Sequence, residues 1–102
     1  MPFVILFEDN PEAAPDIRTA HMPAHLAFLS ANADRIRAAG PLVDPSGAAA
    51  GGLWLVDVET PEAAERLVHE DPFWPTGLRA SVRILEWRQV FAAGAPTSPR
   101  QT

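Results

Sequence analysis

The sequence predicts an α+β domain of order βαββαβ, a four-stranded antiparallel sheet with two helices on one face. Three observations predict it. Short apolar runs rich in β-formers alternate with two stretches of helical periodicity, and proline or glycine clusters punctuate the junctions. The third is size, because 102 residues of which 47 % are hydrophobic suffice for one packed core and not for two catalytic domains. This order is the ferredoxin-like, or split βαβ, arrangement.

Residues 3–7, Phe-Val-Ile-Leu-Phe, read as a buried strand closed by the turn-prone Glu8-Asp9-Asn10-Pro11. Residues 11–22 hold two prolines and mixed polarity, so a loop is expected there. A helix is expected from Pro23, which suits a first turn, because Leu26, Leu29, Ala33 and Ile36 share one arc at 100° per residue. Gly40-Pro41 would end it. Leu42-Val43 offers a short strand, followed by a Pro/Ser/Gly/Ala loop over residues 44–52. Residues 53–58 read as the third strand. Thr60-Pro61-Glu62 supplies an N-cap, a first-turn proline and a carboxylate suited to the helix dipole, with Ala64, Leu67 and Val68 on the buried face up to about residue 70. Asp71-Pro72 breaks that helix, and residues 80–91 read as the last strand. The domain is expected over residues 1–91, with a tail over 92–102.

The strands carry a second message. A sheet with one wet face should alternate polar and apolar residues, yet Val4 and Leu6 are as apolar as Phe3, Ile5 and Phe7, and Leu53 and Leu55 as apolar as Trp54 and Val56. Two helices cover one face only. A homodimer through the other face is therefore expected, its two sheets forming a barrel-like sandwich; cover by the long loop and the tail is the alternative.

Thirteen acidic against eight basic residues leave a net charge of −5, which lacks the basic footprint of a nucleic-acid binder. The absence of cysteine removes thiolate nucleophiles, disulfides and Cys-ligated metals. No apolar run is long enough for a membrane span or a secretory core, so a cytoplasmic protein is expected. Every basic residue is Arg and Ala and Pro abound, which points to a GC-rich, bacterial genome.

Among groups that could do chemistry, His25 shares the arc of Leu29 and Ile36 and should face inward. A half-buried imidazole serves as acid or base near neutral pH, or is a core histidine satisfied by a carbonyl; periodicity favours the second. His21 and His25 have the i, i+4 spacing of metal ligands, but Pro23 between them is expected to start the helix and remove their shared face, so no metal or other cofactor is expected. His69 reads as a helix-end residue. The glycines of residues 47–52 match no phosphate loop and suit a hairpin, and no serine has a nucleophile-elbow context. Asp71 stands beside Phe73 and Trp74, where burial could shift its acidity or simply anchor a loop.

The segments Pro23-Ala24-His25-Leu26-Ala27-Phe28-Leu29, Ala39-Gly40-Pro41-Leu42, Glu70-Asp71-Pro72-Phe73 and Gly77-Leu78 resemble, in order and spacing, the YCII-related (YciI-like) family. The resemblance runs from the first strand to Trp87. It implies a dimeric α/β barrel and a site centred on a His/Asp pair, which by motif falls on His25 and Asp71. A relative with the same pair is similar to dehydrochlorinating enzymes of aromatic degradation. Met22 departs from the Arg that often precedes the first motif, and Trp74-Pro75 is bulkier than usual. The simplest topology is expected to put the start of the first helix and the end of the second at opposite ends of the sheet, which would make Asp9 the easier partner of His25. One reading is therefore a small cofactor-independent lyase or isomerase, with His25 moving a proton, Asp71 by motif or else Asp9 by topology orienting it, and aromatics such as Trp54, Phe73 or Trp74 lining the cavity. The other reading is a non-enzymatic dimer that binds a small molecule or a protein.

Overall fold

In the computed structural model, which describes residues 1–96, strand β1 spans Pro2–Asp9, helix α1 Ile17–Ala31, β2 Ile36–Val43, β3 Ala49–Asp57, helix α2 Pro61–Glu70 and β4 Arg79–Glu86. A 3-10 turn, Trp74–Thr76, joins α2 to β4. The sheet order is β2-β3-β1-β4, and β1 lies antiparallel to both β3 and β4. The fold is ferredoxin-like.

Helix α2 forms where local chemistry dictates it. Thr60 Oγ1 accepts the Ala63 N–H at 3.1 Å, Pro61 needs no donor in the first turn, and Glu62 faces the positive end of the helix dipole. Ala64, Leu67 and Val68 are buried against Phe3, Ile5, Trp54 and Val56, and these residues form the core. On the other face of the sheet, the register sets Val4 opposite Leu55 and Leu6 opposite Leu53, with Leu85 beside Val4. Among the described residues no helix covers this apolar patch.

Helix α1 corrects two expectations. It begins at Ile17, inside the expected loop, and continues through Pro23. The proline removes the donor that would bond the Thr19 carbonyl, but Thr19 and Pro23 are both exposed, so water reaches that carbonyl. The helix also ends at Ala31 rather than at Gly40-Pro41, because Asn32 caps it: its Nδ2 donates to the Phe28 carbonyl at 2.9 Å and its Oδ1 accepts from Arg35. Ile36 fits the helical arc only by coincidence and is buried from the first position of β2. Leu26, expected inside, is 53 % exposed.

Strands β2 and β3 consequently extend through the expected loop as a hairpin, in agreement with the turn role read for its glycines. Asp44 organises the tip by accepting the backbone N–H groups of Ser46 and Ala48 at 2.9 and 3.0 Å. Gly51 is required here: its φ is +128°, and a Cβ would stand 1.9 Å from the Phe7 carbonyl oxygen. Strand β4 stops at Glu86, five residues before its expected end, and Phe91–Ala92 (β5) pairs with Ala95–Pro96 (β6) in a small separate hairpin. Of the tail expected over 92–102, residues 97–102 lie outside the described residues.

Candidate active site

The antiparallel register sets Asp9, at the end of β1, opposite Arg79, at the start of β4. Asn10 locks this end of the sheet: its backbone N–H donates to the Leu78 carbonyl at 2.7 Å and its Nδ2 to the Gly77 carbonyl at 3.0 Å. Helix α1 leaves β1 here, and α2 returns here before β4. The start of α1 and the end of α2 therefore share one end of the sheet, which corrects the expectation that they lie at opposite ends.

Asp71 sits at the C-terminal cap of α2 in extended conformation, as a residue before proline prefers. Its carboxylate turns into the protein with no exposed side-chain surface. Oδ1 accepts His25 Nδ1 at 2.8 Å and the Phe73 N–H at 3.3 Å, and Oδ2 accepts Arg79 at 2.5 Å. Pro72 thus breaks the helix, while Phe73 supplies both a donor to the carboxylate and a ring 4.7 Å from the imidazole of His25. Trp54 flanks the imidazole at 6.2 Å.

Burial pushes the Asp71 carboxyl upward, but the His25 hydrogen bond, the Arg79 charge and the Arg79 hydrogen bond together outweigh it and hold the group below the ordinary value of 3.8. An ionised carboxylate only accepts, so the His25 Nδ1 bears a hydrogen and the lone pair of a neutral ring lies on Nε2. Arg79 is itself 8 % exposed, with its guanidinium 3.9 Å above the centre of the Phe7 ring. Burial lowers its pKa against the opposing pull of Asp71.

A pocket of about 300 Å³ opens beside this cluster, small for a ligand site. One wall is the face of α1 that presents Arg18, Met22, His25, Leu26 and Leu29. The facing wall is the β2–β3 hairpin, where Pro41, Leu42 and Val43 stand among the small residues Ala39, Ala49 and Gly52. Among the described residues no buried side-chain nitrogen or oxygen lacks a hydrogen-bond partner, so the His25 Nε2, unused by Asp71, is open to the pocket.

The structure therefore brings His25, Asp71, Trp54 and Phe73 together. Asp9 instead accepts Arg18 at 2.9 Å on the pocket wall. Trp74 stands outside the pocket, 36 % exposed, its ring 4.6 Å from that of His69. His21 and His25 do lie one turn apart on a continuous helix, contrary to the expected break, but His21 packs on Phe73. Among the described residues no three His, Cys, Asp or Glu groups gather as metal ligands, and no helix is long and apolar enough to cross a membrane. Sequence reasoning missed Arg79 and Arg18. The signal for the first was an Arg opening the strand that follows the Asp71 turn; the second lay in a segment read as loop and had no face assigned.

A comparison with curated protein sequences returns no match. Among solved structures, the chain is similar to 5-chloro-2-hydroxyhydroquinone dehydrochlorinase from Burkholderia phenoliruptrix AC1100, in complex with 2,5-dihydroxybenzoquinone. The identity is 25 %, the TM-score 0.72, and the match covers 87 % of this chain and 95 % of that one. It is also similar to a dimeric protein of unknown function and ferredoxin-like fold from Bacteroides fragilis NCTC 9343, at 13 % identity and TM-score 0.46 over 82 % of this chain and 90 % of that one. A dimeric ferredoxin-like protein of unknown function from Thermobifida fusca shares 17 % identity at TM-score 0.42, over 82 % and 85 %. The model of the YCII-related domain matches residues 1–88, and the protein belongs to that family.

Proposed function

We propose that the protein is a cofactor-independent lyase that removes a proton and a leaving group from a small hydroxylated ring, with His25 as the acid–base group and Asp71 as its positioning residue. The observation that carries this reading is the buried His25–Asp71 pair with Nε2 open to an apolar pocket. The 25 % identical dehydrochlorinase supplies the substrate class. On a chlorinated hydroxyhydroquinone, Nε2 takes a hydroxyl proton and delivers it to the chlorine-bearing carbon, forming the keto tautomer. Loss of a second hydroxyl proton then drives an electron pair through the ring, and the C–Cl pair leaves as chloride. The product is a hydroxyquinone, the net loss is HCl, and no oxidant enters. Asp71 holds the ring tautomer and stabilises the transient imidazolium, while Arg79 keeps Asp71 ionised.

The direct test is incubation with 5-chloro-2-hydroxyhydroquinone under anaerobic conditions, following chloride release and quinone absorbance. Turnover in the wild type and its loss in His25→Gln are expected. Equal turnover in both would remove the acid–base role, and ligand binding without turnover would leave a binding module.

We further propose that the apolar open face of the sheet, Val4, Leu6, Leu53, Leu55 and Leu85, packs on the same face of a second copy. A contiguous apolar patch without a helix over it favours association, and a twofold pairing of one patch with itself satisfies both copies.

A further inference from the structure

We propose that the ring taken by this pocket carries an apolar substituent of several carbons, held at the mouth of the slot between Leu26 of α1 and Val43 of β2. This rests on the reading of the pocket as the site of a hydroxylated ring, and concerns the part of the ligand that the His25–Asp71 pair does not touch. Room is the first argument. A cavity of about 150 Å³ encloses a benzene ring, whereas this pocket measures about 300 Å³, so one ring beside His25 leaves about half of it unfilled.

The two walls supply the second argument. Of the fifteen residues of α1 only His25 is buried, so the apolar side chains that the helix presents to the pocket are left without full cover by the protein. Leu26, next to His25 in the chain, is 53 % exposed, and Val43 on the facing hairpin is 59 % exposed. Single exposed apolar side chains are ordinary on a protein surface. These two are not single: both line one pocket, from opposite walls, and both reach solvent, which places them at its mouth. The hairpin brings no charged side chain to the pocket. Asp44, which follows Val43, turns its carboxylate to the Ser46 and Ala48 N–H groups of the hairpin tip. An apolar group lying between Leu26 and Val43 leaves water and shields both side chains, while the hydroxylated ring stays at His25.

The test uses two probes on the full chain, 2,5-dihydroxybenzoquinone and its 3-pentyl derivative, both followed by absorbance titration. The wild type should bind the pentyl derivative at least about tenfold more tightly, since each methylene taken from water contributes up to about fourfold and the mouth covers the chain in part. The parent quinone should displace the derivative. Leu26→Ser and Val43→Ser should each lower the ratio of the two affinities at least about threefold. Val90→Ser, at a residue 61 % exposed and outside the pocket, should keep the wild-type ratio. A wild-type ratio near one, a ratio unchanged in both mouth variants, an equal fall in Val90→Ser, or a derivative that the parent does not displace overturns the proposal. So does a ratio near one with a sedimentation shift in Leu26→Ser, which would mean that a second copy covers the mouth. A ratio near one with chloride release that depends on His25 leaves the lyase reading standing without the substituent. A tenfold ratio with no turnover of the chlorinated ring sinks the lyase reading and keeps the mouth, and a wild type that binds neither quinone overturns both.

Discussion

Replacing Asp71 with Asn keeps the shape of the side chain and removes one buried charge, which leaves Arg79, its side chain 8 % exposed, without its counter-ion. Breaking a buried pair from one side costs about 3–5 kcal/mol. The Phe7 ring 3.9 Å beneath the guanidinium and the retained amide oxygen offset part of this, so a loss of about 3 kcal/mol is expected. In a domain of this size that lowers Tm by about 12–24 °C. Urea unfolding read by Trp fluorescence, with calorimetry beside it, measures both quantities. The double variant Asp71→Leu/Arg79→Met, which removes both charges, should be more stable than Asp71→Asn alone. A loss below about 1 kcal/mol in the single variant, or a double variant less stable than it, would refute the assignment of Arg79 as a cation dependent on Asp71.

The same substitution has a chemical arm. Arg79 only donates, so the new amide must turn its oxygen toward Arg79 and its NH2 toward His25 Nδ1. The ring hydrogen then moves to Nε2, and the open nitrogen can no longer accept a proton. Nitrogen-15 shifts of the imidazole read this exchange of tautomers, and kcat should fall by about 10²–10⁴. An unaltered tautomer would show that Asp71 does not orient the ring.

Asp71 also sets an acid limit on stability: because its folded pKa lies below the ordinary 3.8, the unfolded chain takes up the proton first, and stability should fall as pH drops through 3.8 toward the folded value. Urea midpoints at pH 6, 4 and 3 test this, and Asp71→Asn should flatten that part of the dependence. His25→Gln should abolish turnover while 2,5-dihydroxybenzoquinone still binds, as dialysis or absorbance titration would register. Leu55→Arg, which places a charge on the apolar open face, should shift sedimentation from twice the chain mass toward a single chain; a wild type that is monomeric at micromolar concentration would remove the dimer. Gly51→Ala should lose at least about 2 kcal/mol by urea unfolding, because the new Cβ meets the Phe7 carbonyl, whereas Gly40→Ala meets nothing within 4 Å and should change stability little.

What was legible in the sequence follows the range of the interactions. Helix α2 is written in Thr60, Pro61 and its apolar spacing, all local, and β1 and β3 in apolar runs too short for helices. Helix α1 is not legible in the same way, because Pro23 suits a first helical turn yet lies inside the helix. Its cost depends on whether the Thr19 carbonyl meets water, and only the orientation of the helix decides that. The family motifs single out His25 and Asp71, 46 residues apart, and the two side chains are in contact. Their contact depends on which end of the sheet α2 returns to, and the end of α2 lies beside the start of α1 rather than opposite it. Arg79 and Arg18 carried no motif, since an arginine acquires its role from the carboxylate or ring it meets.

The pocket owes its chemistry and its shape to different stretches of chain. His25 comes from α1 and Asp71 from the end of α2, whereas the wall across the slot is the β2–β3 hairpin. Selection can therefore act on the two separately. Under the lyase reading, an added methyl at Ala39, opposite Trp54, would narrow the slot without touching the His25–Asp71–Arg79 cluster, so a descendant lineage could exchange one ring for another and keep the same His/Asp pair. By the same logic, two members of the family with identical polar groups need not share a substrate, and the hairpin is the part of the chain to compare first.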